Sequence, residues 1–201
     1  MYLSKVRITG AACRNPYELH RRLWQLFDTD ADAERDFLFR VEQANAVQAT
    51  VLMQSARPPS VDEKDAELLA KKPYTLSLSE GQRLRFLLVA NPVKTIRDEQ
   101  GRVNVKGDVK SCRVPLIREE AQREWLVRKF ASIASVEELL IDNLLPVHFR
   151  KHREKRAGKI QPVSFQGMLC VQQPESFIQL IKKGIGPGKA FGCGLVSIAS
   201  A

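Results

Sequence analysis

The chain has 201 residues, 44% of them hydrophobic, and carries 32 Lys plus Arg against 23 Asp plus Glu, a formal net charge of +9. That length buries a real core, as one large domain or two small ones; no apolar run reaches the roughly 18 residues of a membrane span and the start has no cleavable leader, so a soluble cytoplasmic protein without a membrane partner is expected. The positive balance favours acidic partners, of which nucleic acid is the commonest for a soluble chain.

Residues 2–9 alternate, Tyr2, Ser4, Val6 and Ile8 against Leu3, Lys5, Arg7 and Thr9, which predicts a strand with one basic face. Asn15 then caps a helix that has Pro16 at its first position and Glu18 three residues after the cap, with Leu19, Leu23, Leu26 and Phe27 at core spacing. Phe37, Phe39 and Val41 alternate with Leu38, Arg40 and Glu42. After a turn at Ala44-Asn45-Ala46, Val47, Ala49, Val51 and Met53 alternate again, so a hairpin is predicted. A short helix over Val61 to Ala70 and a strand through Leu84, Phe86 and Leu88 complete a βαββαβ order.

Beyond Pro115 the pattern repeats. An amphipathic helix runs from Arg118 to Ala131, a strand holds Val163, Phe165, Leu169 and Val171, a helix starts at Pro174, and a last strand covers Leu195 to Ala199. The predicted fold class is α+β, two tandem ferredoxin-like (RRM-like) units with antiparallel sheets. The first, residues 1–93, carries the Asn15 helix; the second, 94–201, includes the linker, a basic loop and a glycine-rich loop.

Two basic stretches are expected to be exposed. One, between the units, carries Lys94, Arg97, Arg102, Lys106, Lys110 and Arg113 around two turn glycines. The other, Arg150-Lys151-His152-Arg153-Glu154-Lys155-Arg156, has nothing apolar at helical spacing to bury and is expected to order only on a ligand. Near the end, Gly184, Gly186, Gly188, Gly192 and Gly194 surround Lys189. Lys183 and Ala190 break the Walker pattern, and no frame gives Gly-x-Gly-x-x-Gly, so no nucleotide cofactor is expected. Such a loop instead presents backbone N–H groups to a phosphate chain, with Gly186, Gly188 and Lys189 at its centre; an ordinary turn into an edge strand is the plainer alternative.

The four cysteines are scattered without a Cys-x-x-Cys and read as small buried hydrophobes. Asp28, Asp30 and Asp32 read as a solvated loop, and His148 and His152 stand in a basic run, so no metal site is expected. Tyr17, His20 and Trp24 share a stripe beside the Leu19/Leu23/Leu26 face, which puts His20 at the rim of the core. That position suits proton transfer at a phosphate; on spacing alone, a half-buried helix histidine with no role is the plainer alternative. A proton-transfer residue, a phosphate cradle and a basic chain together suggest an enzyme that cuts RNA.

The chain resembles a known family, the CRISPR RNA-processing endoribonucleases of the Cascade type, subtype I-E. The resemblance rests on Met1-Tyr2-Leu3-Ser4-Lys5-Val6, Tyr17-x-Leu19-His20, Asp36-Phe37-Leu38-Phe39-Arg40-Val41, Ala90-Asn91-Pro92-Val93-Lys94-Thr95, Cys112-Arg113-Val114-Pro115-Leu116, Gly158-Lys159-Ile160-Gln161 and the glycine-rich end. It implies binding of a CRISPR repeat stem-loop, cleavage without a metal by attack of a ribose 2'-hydroxyl, a 2',3'-cyclic phosphate and a 5'-hydroxyl as products, and residence among other Cascade subunits. It implies His20 for proton transfer, as base or acid, Tyr17 to orient the ribose or phosphate, and Lys159 to stabilise the developing charge. Arg153, Lys155 or Arg156 could replace or assist Lys159, or track the phosphates of the stem. The competing readings are a non-catalytic RNA-binding scaffold of a CRISPR complex and a metallonuclease.

Overall fold

The computed structural model describes residues 1–27, 36–60, 65–103, 107–109, 111–151 and 156–201, with the side chains of residues 150, 151, 156 and 157 left aside. The first unit runs β1 (Tyr2–Thr9), a 3-10 turn (Gly10–Arg14), helix α1 (Pro16–Trp24), β2 (Phe37–Ala44), β3 (Gln48–Ser55) and β4 (Ala66–Pro73). Its sheet has the order β2-β3-β1-β4, every neighbour antiparallel. Helix α1 starts where its sequence says it should: Asn15 Oδ1 accepts the Tyr17 N–H at 3.2 Å, and Pro16 fills the first position, where no donor is missed. It lays Leu19 and Leu23 on Val6, Ile8, Phe39, Val51 and Met53 of the sheet, all fully or nearly fully buried.

The second unit runs β5 (Arg83–Ala90), β6 (Val93–Arg97), β7 (Ser111–Pro115), α2 (Glu119–Phe130), β8 (Ala134–Asn143), β9 (Val147–Lys151), β10 (Arg156–Ile160), β11 (Val163–Val171), α3 (Pro174–Lys183), a 3-10 turn (Lys189–Phe191) and β12 (Val196–Ser200). Its sheet order, β12-β5-β11-β8, is antiparallel throughout. Numbered within each unit, both sheets read fourth, first, third, second, the ferredoxin-like arrangement. Trp125, Leu126 and Phe130 of α2 and Phe177 and Ile181 of α3 cover one face of the second sheet, against Phe86, Leu88, Phe165 and Leu169.

Two expectations change. Residues 66–73 are a strand, not the end of a helix; residues 61–64 lie outside the described residues. Ala, Glu and Leu favour helix locally, but pairing with β1 from Tyr2↔Pro73 to Ile8↔Ala66 satisfies a whole edge of backbone groups, and this tertiary gain overrides propensity. Strand β5 lies between β12 and β11, so it belongs to the second sheet. A division at residue 93 would cut that sheet, whereas the two sheets separate in sequence between Pro73 and Arg83.

The second unit gathers its insertions at one end. Val163 of β11 pairs with Ala90, the last residue of β5, and with Asn143, the last residue of β8. The β6–β7 hairpin follows β5 and the β9–β10 hairpin follows β8, so both basic hairpins leave the sheet at the same end. The glycine-rich segment enters β12 there as well, with Val196 opposite Leu88.

Candidate functional site

Three elements meet at that end: α1 of the first unit packs against β9 and against the Lys189–Phe191 turn. On α1, Tyr17 and His20 are half-buried and lie about one turn apart. The His20 ring is held among aromatic neighbours, stacked on Phe37 at 5.5 Å and Phe39 at 6.2 Å between centroids and tilted against Trp24 at 6.0 Å. These contacts restrict the rotamers of the imidazole and place it at the rim of the core, where the helical stripe puts it.

The described residues on either side of the basic run's centre form two paired strands. Strands β9 and β10 pair from Val147↔Ile160 to Lys151↔Arg156, and the chain is closed below by Gln161 Nε2 donating to Leu144 O and Leu144 N–H to Pro162 O. The alternation that buries one face of it is Val147 and Phe149. Phe149 lies over Gly158, whose missing Cβ leaves room for the ring, and stacks on Phe191 at 4.1 Å. Directly opposed residues share a face, so Lys159 and His148 project from the other, exposed side. Arg150, Lys151 and Arg156 are placed on the two arms, while His152, Arg153, Glu154 and Lys155 lie outside the described residues.

On the other hairpin, Lys94 opposes Val114 and Arg113 opposes Thr95, so these two exposed cations point to opposite faces. Arg102 is drawn back to Asp98, with Nε and Nη2 both 2.8 Å from Oδ2; Lys106 and Lys110 lie outside the described residues.

The glycine-rich segment joins the two units. Gly184 ends α3 with φ +73°, and a Cβ there would collide with Leu38 Cδ1 of β2 and the Gly194 carbonyl, so only glycine fits. The N–H groups of Gly184, Ile185, Phe191, Cys193 and Gly194 donate to carbonyls of the chain itself. Gly186 and Gly188 are half-exposed, and Lys189 Nζ donates to Lys183 O at 2.7 Å, across the C-terminal end of α3.

Two side-chain hydrogen bonds complete this seam: Arg40 Nη1 donates to Ser197 Oγ at 2.8 Å and Gln54 Nε2 to Ile181 O at 3.0 Å. Strand alternation sets Arg40 with Leu38 and Glu42 on the face away from α1, and that face is covered by the second unit. Arg40 is 7% exposed, and burial pulls its pKa down against the opposing pull of Glu42, 3.4 Å away. A cation within an otherwise apolar Phe37–Val41 run is the signal in the sequence for this buried role.

Arg40 and Glu42 also line a groove of about 630 Å³ between the units, walled by residues of α1, β2, the β8–β9 connection and the glycine-rich segment. Among the described residues no three His, Cys, Asp or Glu side chains gather as a metal site requires, and no helix is long and apolar enough to cross a membrane. The triplet Asp28, Asp30 and Asp32 lies outside the described residues.

A profile of the family described as CRISPR associated protein matches residues 1–200. The chain belongs to this CRISPR-associated family. It is 45% identical over 200 residues to the CRISPR system Cascade subunit CasE of Escherichia coli, with 99% of each chain covered. It is 32% identical over 222 residues to the CRISPR-associated endoribonuclease Cse3 of Thermus thermophilus, covering 99% of this chain and 100% of Cse3. Two solved members of this CRISPR-associated family share its fold. The crystal structure of Cas6e from Escherichia coli matches over all of both chains with a TM-score of 0.85 at 42% identity. The structure of Cse3 bound to a 19-nt RNA matches 99% of this chain and 100% of that one, with a TM-score of 0.77 at 31% identity.

Proposed function

We propose that this protein is a cytoplasmic endoribonuclease that binds the stem-loop of a CRISPR repeat, cuts at the base of the stem without a metal, and keeps its product as a subunit of a Cascade complex. The observation that carries this reading is the full-length likeness to Cse3 bound to RNA. Likeness to the Cascade subunit CasE supports the assembly, and the gathering of α1, two basic hairpins and the glycine-rich segment at one end of the second sheet supports an extended RNA track.

Cleavage needs a base for the ribose 2'-hydroxyl, an acid for the departing 5'-oxygen and positive charge near the phosphate. The 2'-oxygen forms a bond to phosphorus as the bond from phosphorus to the 5'-oxygen breaks. The hydroxyl proton goes to the base and the acid protonates the leaving oxygen, giving a 2',3'-cyclic phosphate and a 5'-hydroxyl. We assign proton transfer to His20, whose ring is fixed by Phe37, Phe39 and Trp24. Tyr17, on the same helix, orients the ribose or phosphate. Lys159, on the exposed face of the hairpin that packs on α1, supplies charge, with Arg153, Lys155 and Arg156 near it in sequence to assist. A-form RNA hides its base edges in a deep, narrow major groove. The stem is therefore held through its phosphates by Lys94, Arg113, Arg150, Lys151 and the half-exposed backbone at Gly186 and Gly188.

The test is cleavage of a labelled repeat stem-loop in EDTA by wild type and His20→Ala, with binding measured beside it. Wild type should cut at one site, and the variant should keep its affinity while losing about 10² to 10⁴-fold in rate. A wild type that binds the stem-loop and never cuts it would replace the enzyme with a scaffold.

A further inference from the structure

We infer that the groove between the two units is a subsite for one unpaired guanine base of the bound RNA, next to its stem; the inference rests on the function proposed above. The groove lies beside the reacting helix, since Pro16 and Leu19 of α1 line it, and beside the β9–β10 hairpin through Val147. A base flanking the stem is therefore within its reach when the backbone passes His20.

Its walls fit the flat apolar faces of a base. Phe191, braced from behind by its stack on Phe149, forms one side. Leu145, at the lip, is 86% exposed, a large apolar side chain facing an apolar groove and left for a ligand to cover. At about 630 Å³ the groove is large enough for a purine.

Its polar end selects among ligands. Arg40 is nine-tenths buried, with its guanidinium between Ser197 Oγ and Glu42 Oε1, and Glu42 in turn faces Lys5 at 4.0 Å. A phosphate placed on Arg40 would meet the Glu42 carboxylate beside it, and the repulsion disfavours it. A neutral edge that offers an acceptor to the guanidinium and donors to the carboxylate satisfies both charges. Guanine presents O6 next to two donors, N1–H and N2–H, so it meets the guanidinium with an acceptor and both carboxylate oxygens with donors. Adenine and cytosine offer one donor group beside an acceptor, and uracil a single donor between two acceptors, so none of the three presents two adjacent donor groups to the carboxylate.

The experiment measures equilibrium binding of stem-loops in which each unpaired position flanking the stem carries G, A, C, U or inosine in turn, to wild type, Glu42→Gln and Leu145→Ser. At one position, guanine should bind at least about 10-fold tighter than adenine, and inosine, which lacks the N2 donor, should fall between. Glu42→Gln should erase that preference while leaving the adenine-bearing RNA within about twofold of wild type, and Leu145→Ser should weaken all bases at that position alone. No position with a guanine preference, or a Glu42→Gln loss equal for every RNA, would overturn the subsite. Failure of wild type to bind any stem-loop would instead sink the function on which it rests, and full affinity for a stem trimmed of its flanks would overturn the subsite while leaving that function standing.

Discussion

Removing the hydroxyl of Ser197 tests whether the seam between the units contributes to stability through Arg40. The guanidinium is 7% exposed and gives Nη1 to Ser197 Oγ at 2.8 Å; its other close partner is Glu42 at 3.4 Å. Hydrogen bonds to charged groups contribute about 1.5–3 kcal/mol, and a buried donor left unmatched costs about 1–3 kcal/mol. Because Arg40 borders a groove that admits water, the lower part of that range applies, and Ser197→Ala should cost about 1.5 kcal/mol. For a chain of this size that is a fall of about 3–6 °C in Tm. Arg40→Met, which keeps the volume and removes the charge, should stay within about 1 kcal/mol of wild type, since relief of desolvation offsets the lost partners. The decisive measurement is the double variant, followed by circular dichroism on heating. In the Arg40→Met background, Ser197→Ala should be nearly neutral. An equal loss in both backgrounds would refute the reasoning, because the serine would then act by some route other than Arg40.

Burial holds the Cys193 thiol protonated, its pKa pushed up to about 12 from an ordinary 9.0. Between these values the unfolded chain releases a proton that the folded chain keeps, so stability should fall as pH rises above 9, by up to about 1.4 kcal/mol per unit. Urea unfolding from about pH 8 to 10.5 should show a flatter dependence for Cys193→Ala. If about six phosphates of the stem are neutralised, affinity for a stem-loop should fall on the order of 10³-fold between 50 and 200 mM salt. A nearly flat salt titration would count against the basic hairpins as the RNA track.

Strongly periodic elements are legible in the sequence: β1, α1 with its Asn15 cap, the β2–β3 hairpin, α2, β11 and α3 all lie where alternation or helical spacing puts them. So is the position of His20 at the edge of the core. What local pattern hides is burial by distant parts of the chain. Leu38 and Arg40 sit on what alternation marks as the outer face of β2, and only docking of the second unit turns that face inward. Strand β4 reads as helix until β1 is seen to need a partner on that edge. The hairpin at 147–160 is hidden for a related reason: its buried alternation is two residues long, and Phe149 finds its partner, Phe191, in the glycine-rich segment far along the chain. Glycines that read as a phosphate cradle also serve close packing, as Gly184 does against Leu38.

The seam between the units also has an order in time. Arg40 and Ser197 are 157 residues apart, and Gln54 waits for Ile181, 127 residues later. At translation speeds of about 5–20 residues per second, Arg40 is made some 8–31 s before its partner. The first unit has all four of its strands by Pro73 and can fold early. The cover over Leu38 and Arg40 of β2, the groove beside it and the packing of α1 against the Lys189–Phe191 turn are completed only by the last residues synthesised. A nascent or C-terminally clipped chain therefore has the helix and sheet of the first unit and lacks the groove between the units, whose far wall is laid down only with Phe191, Gly192 and Cys193.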